Sequence, residues 1–424
     1  MPGIDSAQRA ATAATRHRLR IAVATTHPIQ YQVPWLQRLA ARDDIDLQVY
    51  FAMLPDAREQ GREFGVAFAW DLDLLAGYRS RVLQNQSRRP SLTTFSGCDT
   101  PEIVDEIRAG RFDAVIVNGW GSKTALQALY ACRRHGVPCL VRGEANGLRP
   151  RAWWKRWLHR ALIARYSACL AIGTRNRDYY LAAGVPPSRI FPTPYCIDNA
   201  RFAASADAQR AAPGRAALCT HFGLEPQRTT FLFSGKFVDK KHPLDAIAAL
   251  RVARAQGADV QLLMVGDGPL RATLETAGHG LPVRFAGFLN QSQMAAAYAA
   301  GDCLVLPSDS GETWGLVVNE AMASGLPVIV SDQVGCAADL VQPGVTGDVY
   351  PCRDVHALAA RMQVHAADRN QLLTMGMNAR ALVFASFSFE LVVDGVLAAL
   401  HAVAPKTVDA TCRCCLSRWS PCSR

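Results

Sequence analysis

The chain has 424 residues, 50% of them hydrophobic and 19% charged, with a mean hydropathy of +0.03. Single hydrophobic cores rarely grow past about 250–300 residues, so this apolar content predicts two packed cores and excludes a disordered polyelectrolyte. The formal net charge of +10 favours anionic partners, and no apolar run approaches the roughly 20 residues that a membrane-spanning helix needs.

Residues 1–18 are rich in Ala, Thr and Arg and read as a disordered leader, although a targeting segment has the same composition; no secretory signal pattern is expected. Strand-like runs then alternate with helical patterns. Strands are expected over 20–25, 46–51, 114–117, 138–141 and 168–173, with helices over 33–42 and from the turn at 118–121 through 131. This βαβ alternation predicts a parallel sheet buried on both faces. Prolines interrupt residues 191–202, and a loose Ala/Arg/Pro stretch runs through Gly214. The division is expected there, with a first domain over 19–202 and a second over 215–385.

The pattern restarts with strands over 230–233, 260–265, 285–287, 303–307 and 328–331. Helices are expected over 243–256, 291–300 and from 315 to 324, and 354–384 reads mostly helical. The fold class is therefore α/β, two Rossmann-like doubly wound domains facing across a cleft, with ligands at the carboxyl ends of the strands. Of the thirteen cysteines, nine scattered ones read as reduced, buried, small hydrophobes. Cys412, Cys414, Cys415 and Cys422 cluster in a Cys/Arg-rich tail over 404–424; a solvated tail is preferred there over a zinc or redox site.

Two stretches of the second half carry chemistry. The loop Ser234-Gly235-Lys236-Phe237-Val238-Asp239-Lys240-Lys241-His242 follows a strand. Glycine lets the backbone approach a ligand, and lysines at a strand's carboxyl end supply the positive charge that a departing diphosphate needs. A solvated lysine loop would read the same way. The second stretch runs from Glu312 through Gly315, Leu316 and Val317 to Glu320, after a strand and a polar loop. A helix starting near Gly315 offers free N–H groups and a positive dipole end to phosphate. Glu320, about a turn and a half into it, is placed to accept from vicinal hydroxyls such as those of a ribose. Two glutamates on a solvated helix face are the alternative.

Taken together, residues 235–350 resemble the retaining glycosyltransferases of family 4, which have the GT-B fold. Glu312 and Glu320 form that family's E-x₇-E motif, and Gly235-Lys236 with Lys241 resembles its diphosphate-binding pair. Val265-Gly266-Asp267-Gly268, Gly287-Phe288, the stretch from Glu320 to Val328, Gly335 and Asp339 follow in the family's order. Pro194-Tyr195-Cys196-Ile197-Asp198 looks like its interdomain segment, and the likeness extends over roughly residues 20–400. The resemblance implies that Lys236 and Lys241 neutralise the donor diphosphate, that Glu312 contacts the donor sugar, and that Glu320 binds the ribose. Gly235, Gly266, Phe288 and the amides of Gly315, Leu316 and Val317 would complete the donor site. It further implies a nucleotide-diphosphate sugar as donor, no cofactor, no metal, and a helix over 386–403 that returns to the first domain. Two positions depart from the pattern: Lys236 stands where arginine is usual, a point charge in place of a bidentate fork, and His242 where glycine is usual. Asp71-Leu72-Asp73 could be mistaken for a D-x-D metal motif, and is expected well away from the donor half.

In the first half, Thr26-His27-Pro28-Ile29-Gln30-Tyr31 resembles the first loop of a subset of the same family. Its position puts His27 and Gln30 on the acceptor side of the cleft, and Arg142 and Glu144 follow another strand there. Glu144 reads as an acceptor-binding or catalytic group, or as a capping carboxylate. Residues 149–165 combine one helical face of Trp153, Trp154, Trp157, Leu158, Ala161 and Leu162 with another of Lys155, Arg156, His159 and Arg160. That pattern suits an interfacial helix on anionic lipid, or an ordinary surface helix packed on the sheet. The expected activity is hexosyl transfer to a sugar or lipid-linked sugar in polysaccharide or glycolipid assembly, in the cytoplasm or peripherally at the inner face of a membrane. A nucleotide-sugar epimerase on the same fold and an inactive nucleotide-sugar-binding paralogue are the alternatives. No nucleic-acid module is present, and no nucleic-acid partner is expected.

Overall fold

The computed structural model describes residues 18–61 and 67–404; the expected leader up to residue 17 and the cysteine tail from 405 onward lie outside the described residues. The first domain holds β1 (Leu19–Thr25), β2 (Ile45–Phe51), β3 (Arg79–Val82), β4 (Ala114–Val117), β5 (Cys139–Val141), β6 (Ala168–Ala171) and β7 (Ile190–Pro192). The second holds β8 (Thr229–Ser234), β9 (Val260–Val265), β10 (Val283–Gly287), β11 (Cys303–Leu306), β12 (Val328–Ser331) and β13 (Gly347–Tyr350). The sheet orders are β3-β2-β1-β4-β5-β6-β7 and β10-β9-β8-β11-β12-β13, parallel throughout. These are two doubly wound α/β sheets, and together they form a GT-B architecture.

The strands form where short Val/Ile/Leu-rich runs are buried on both faces: every residue of β4, β8, β9, β11 and β12 is buried. β3 departs from that rule. Its residues Arg79, Ser80, Arg81 and Val82 are all exposed, at a charged sheet edge where Arg81 reaches Glu106 at 2.7 Å. It carries no apolar alternation, so the sequence pattern passes over it; the charges also discourage edge-to-edge pairing.

The stretch expected to be loose up to Gly214 is helical. Asn199–Gln209 is capped by Asp198, whose carboxylate accepts from the Arg201 N–H at 3.0 Å, and Arg215–Phe222 follows. Alanines dominate it and favour helix, and Phe202 packs edge-on against Tyr298 of the second domain, 6.2 Å between centroids. The chain therefore crosses between domains earlier, over residues 192–198. It crosses back at Phe387-Ser388, and the helix Phe389–Val403 packs on the helix Val33–Ala40, β6 and β7. Arg38 ties the two helices, 2.9 Å from Glu390 and over the Phe389 ring. The helical stretch Arg369–Val403 is long and apolar enough by composition to cross a membrane, but it is broken at Phe387 and contributes buried residues to the core. The nine described cysteines are free thiols, eight of them buried.

Candidate active site

Strand order reverses between β1 and β4 in one sheet and between β8 and β11 in the other, and open α/β sheets bind ligands outside the strand ends at such points. The two switch points face one another across a cavity of about 630 Å³.

On the second domain, three adjacent loops are held together by backbone bonds. The Gly235 N–H donates to the Val265 carbonyl at 3.0 Å, and the Gly266 N–H to the Gly287 carbonyl at 2.8 Å. A Cβ on Gly266, whose φ is +132°, would lie 1.9 Å from the Gly235 carbonyl oxygen, so only glycine allows this approach. The result brings Lys236 and Phe288 to the cleft wall. The 3₁₀ turn Asp239–Lys241 then swings Lys241 back under Gly235, ending in His242 at φ +46°. This left-handed backbone is why glycine is usual there; His242 is held by Arg353 at 2.6 Å from Nδ1 and faces Asp309 at 3.4 Å.

The loop after β11 carries Glu312. Its backbone is clamped from two sides: the Asp309 N–H donates to the Lys240 carbonyl at 2.9 Å, and the Gly335 N–H to the Glu312 carbonyl at 3.1 Å. Lys241 Nζ donates to Glu312 Oε2, an ion pair whose side chains are only 11% and 15% exposed. Gly315, at φ +100°, starts the helix Leu316–Ala323, whose first turn presents Leu316 and Val317 to the cavity. Further along it, Glu320 accepts from the Tyr298 hydroxyl at 2.7 Å. Burial raises the Glu320 pKa above the ordinary carboxylate range, while bonds from Tyr298 and Gln291 and the charges of Arg201 and Lys241 oppose the rise. Buried among these groups, Tyr298 is pushed up as well.

All ten donor-side residues therefore line one cavity: Gly235, Lys236, Lys241, Gly266, Phe288, Glu312, Gly315, Leu316, Val317 and Glu320. The acceptor-side four divide. Gln30 and Glu144 line the cavity, and Glu144 bridges the domains by accepting from Tyr195 and, at 3.0 Å, from Thr313 beside Glu312. Arg142 and His27 do not reach it. The Arg142 guanidinium is buried between aromatic faces, 4.5 Å from the Tyr195 centroid, and donates to the Thr193 carbonyl. His27 is partly buried with Nδ1 3.0 Å from Thr26 Oγ1, and desolvation lowers its pKa to about 4.

Arg201, Gln291 and a strap over residues 67–78 enter the site with no motif that announces them, and Tyr195 of the interdomain segment joins them. Asp71 and Asp73 were expected far from the donor half, and that expectation fails. Trp70, Leu72 and Asp73 line the cavity, and Asp71 accepts from the Ser292 N–H at 3.0 Å. Asn290 donates to the Ala69 carbonyl at 2.9 Å, and Phe68 stacks on Phe288 with centroids 4.5 Å apart. Tertiary folding carries the strap from β2 across the cleft. Among the described residues no cluster of three His, Cys, Asp or Glu groups has metal-holding geometry.

Comparison with known proteins agrees with this fold. The family model for glycosyl transferases group 1 matches residues 221–382. A GDP-mannose-dependent alpha-mannosyltransferase of Mycobacterium tuberculosis is 32% identical over 287 residues, 65% of this chain and 69% of that protein. A sulfoquinovosyl transferase of Arabidopsis thaliana is 33% identical over 159 residues, 37% of this chain and only 30% of the relative's length. Among solved structures, Anabaena HepE in complex with UDP and glucose superposes with a TM-score of 0.65 at 17% identity, covering 91% of this chain and 100% of that one. The chain belongs to the group 1 glycosyl transferases.

Proposed function

We propose that the protein is a retaining, metal-independent hexosyltransferase of family 4. In this reading it moves a sugar from a nucleotide-diphosphate donor to a hydroxyl of a sugar or lipid-linked sugar. The observation that carries the reading is the convergence of Lys236, Lys241, the Gly315–Val317 amides, Glu312 and Glu320 on one cavity at the β8/β11 switch point. Glycosyl transfer passes through an oxocarbenium-like state with negative charge growing on the leaving diphosphate. Two lysines and a helix N-terminus stand where that charge develops. Lys241 is paired with Glu312. An arriving diphosphate takes Lys241 and releases the Glu312 carboxylate to the sugar hydroxyls, so donor binding itself prepares the site. Glu320, held by Tyr298, takes the ribose. Glu144 and Gln30 face the acceptor. A relative named as an alpha-(1-6)-phosphatidylinositol dimannoside mannosyltransferase supports a lipid-linked acceptor. In this reading the acceptor is presented at the inner face of a membrane, which the protein contacts peripherally.

The test is a thermal-shift panel of UDP-, GDP-, ADP- and dTDP-sugars, without metal and then with EDTA. Selective stabilisation by one nucleotide, unchanged by EDTA, is expected and names the base. No stabilisation by any would overturn the donor-site reading, and stabilisation without donor hydrolysis or transfer would point to an inactive nucleotide-sugar-binding paralogue. Transfer with inversion at the anomeric carbon would overturn the retaining assignment, and interconversion of free nucleotide sugars would point to an epimerase.

A further inference from the structure

The helix Trp153–Ile163 is inverted relative to an ordinary surface helix. Only Ile163 is fully buried, and His159 is the other anchor, with Nδ1 2.6 Å from the Tyr179 hydroxyl and its ring edge-on to Trp120. At roughly 100° per residue these two anchors lie within about 40° of each other, and Trp153, Trp154, Trp157 and Leu158 fall on the opposite side. That side faces solvent: Trp153 is 80% exposed, Trp157 68%, Leu158 53% and Trp154 50%. All seven residues 152–158 are exposed. The reading of this segment as an ordinary surface helix with its apolar face packed on the sheet therefore fails for its first two turns. Soluble surfaces rarely leave such a patch without a partner.

The charge around the patch has one sign. Residues 149–165 contain six Lys or Arg and no acid, and no Asp or Glu occurs between Glu144 and Asp178. Lys155 and Arg156 are exposed beside the tryptophans, and Lys155 Nζ lies 5.2 Å over the Trp154 ring. The partner must accept a convex apolar ridge and supply negative charge at its flanks. A protein partner needs a matching groove, and single-stranded RNA needs a basic channel with ring faces open to stacking; an anionic bilayer needs neither. Indoles settle at head-group depth while flanking cations meet the phosphates.

We infer that the helix Trp153–Ile163 docks the protein onto an anionic lipid bilayer, with Trp153, Trp154, Trp157 and Leu158 entering the head-group region and Lys155 and Arg156 contacting lipid phosphates. The segment leading into the helix begins at Glu144 in the cavity wall, so docking holds the acceptor side of the cleft close to the bilayer. The benefit to catalysis rests on the lipid-linked acceptor proposed above; the docking itself does not.

The test uses the full chain and vesicles of phosphatidylcholine, with or without about a third phosphatidylglycerol. The wild type is expected to sediment with the anionic vesicles only, with a blue shift of tryptophan emission. The double variant Trp153→Ala/Trp157→Ala loses most of that binding at unchanged Tm, as does Lys155→Glu/Arg156→Glu. Both keep any donor-induced thermal shift. Glu312→Gln loses transfer but keeps vesicle binding, so failure of the transferase reading and failure of the docking are distinguishable. Equal binding to neutral vesicles, wild-type binding by the double variants, or no vesicle binding would overturn the proposal. So would a tryptophan-dependent dimer or RNA complex without vesicle binding.

Discussion

Glu320 carries an electrostatic conflict: its carboxyl is buried, yet the proposed role needs it ionised. Its folded-state pKa is raised, so stability is fully present below the ordinary glutamate value, about 4.3, and is lost as pH rises through the folded value. Glu320→Gln is therefore expected to raise the apo Tm at neutral pH, with the gain vanishing near pH 4. The same substitution removes a charge-assisted bond to the ribose, for which donor affinity should fall about 10- to 100-fold. A Tm gain independent of pH would refute the electrostatic account. Lys241 is the reverse case. Lys241→Ala leaves Glu312, only 15% exposed, without its cation and leaves the diphosphate one charge short. A fall in kcat of about 10²–10³ is expected in steady-state assays, with the fold retained by circular dichroism; kinetics close to wild type would remove Lys241 from the site.

At the level of elements, the donor half works because loops that are distant in sequence share backbone bonds. The loop after β12 is laid on the loop that carries Glu312: Gly335 donates to the Glu312 carbonyl, and the Cys336 N–H to the Trp314 carbonyl at 2.9 Å. A Cβ at Gly335 would sit 1.8 Å from the Thr313 carbonyl oxygen. Gly335→Ala must displace the Glu312 backbone, and displacements near 1 Å cost about 10²-fold in rate. That drop in kcat, with donor KM changing less, is expected; an unaffected kcat would mean that the Glu312 loop tolerates the shift. The likeness in sequence marks Gly335 as part of a pattern, and the close approach of the Thr313 carbonyl is the reason that only glycine fits.

Across the whole molecule, the chain passes between domains twice, and the donor loop touches both passages. Trp314 lies 5.9 Å from Tyr195 at the first crossing and 6.1 Å from Phe387 at the second, and one apolar cluster runs through all three. Opposite them, the strap over 67–78 spans the cleft to the 288–292 loop. Removing the acceptor for the Ser292 N–H with Asp71→Ala costs about 1 kcal/mol, a donor KM about 5-fold higher at little change in kcat. Adding Phe68→Ala should raise KM further. If neither moves KM, the strap does not hold the donor loop in the working enzyme.

The sequence by itself determined the inner strands of the two doubly wound sheets, because parallel strands buried on both faces must be short apolar runs alternating with helices; the edge strands β3, β7 and β13 fall outside that pattern. It also marked residues of the donor side: Gly235 and Lys236 follow the end of β8 and Gly315 precedes a helix start, where local pattern specifies position, while the family likeness singled out Lys241, Glu312 and Glu320. What lies between the domains was decided only by tertiary structure. Arg142 and His27 follow strands just as Glu144 and Gln30 do, yet the first turns into an aromatic stack and the second is desolvated beside Thr26. Asp71 reaches the donor loop through a fold-back that no periodicity records. The tryptophans of Trp153–Ile163 point outward because His159 and Ile163 hold the helix's opposite side. Period and composition define which residues share a face, whereas the direction of that face depends on what the rest of the chain packs against it.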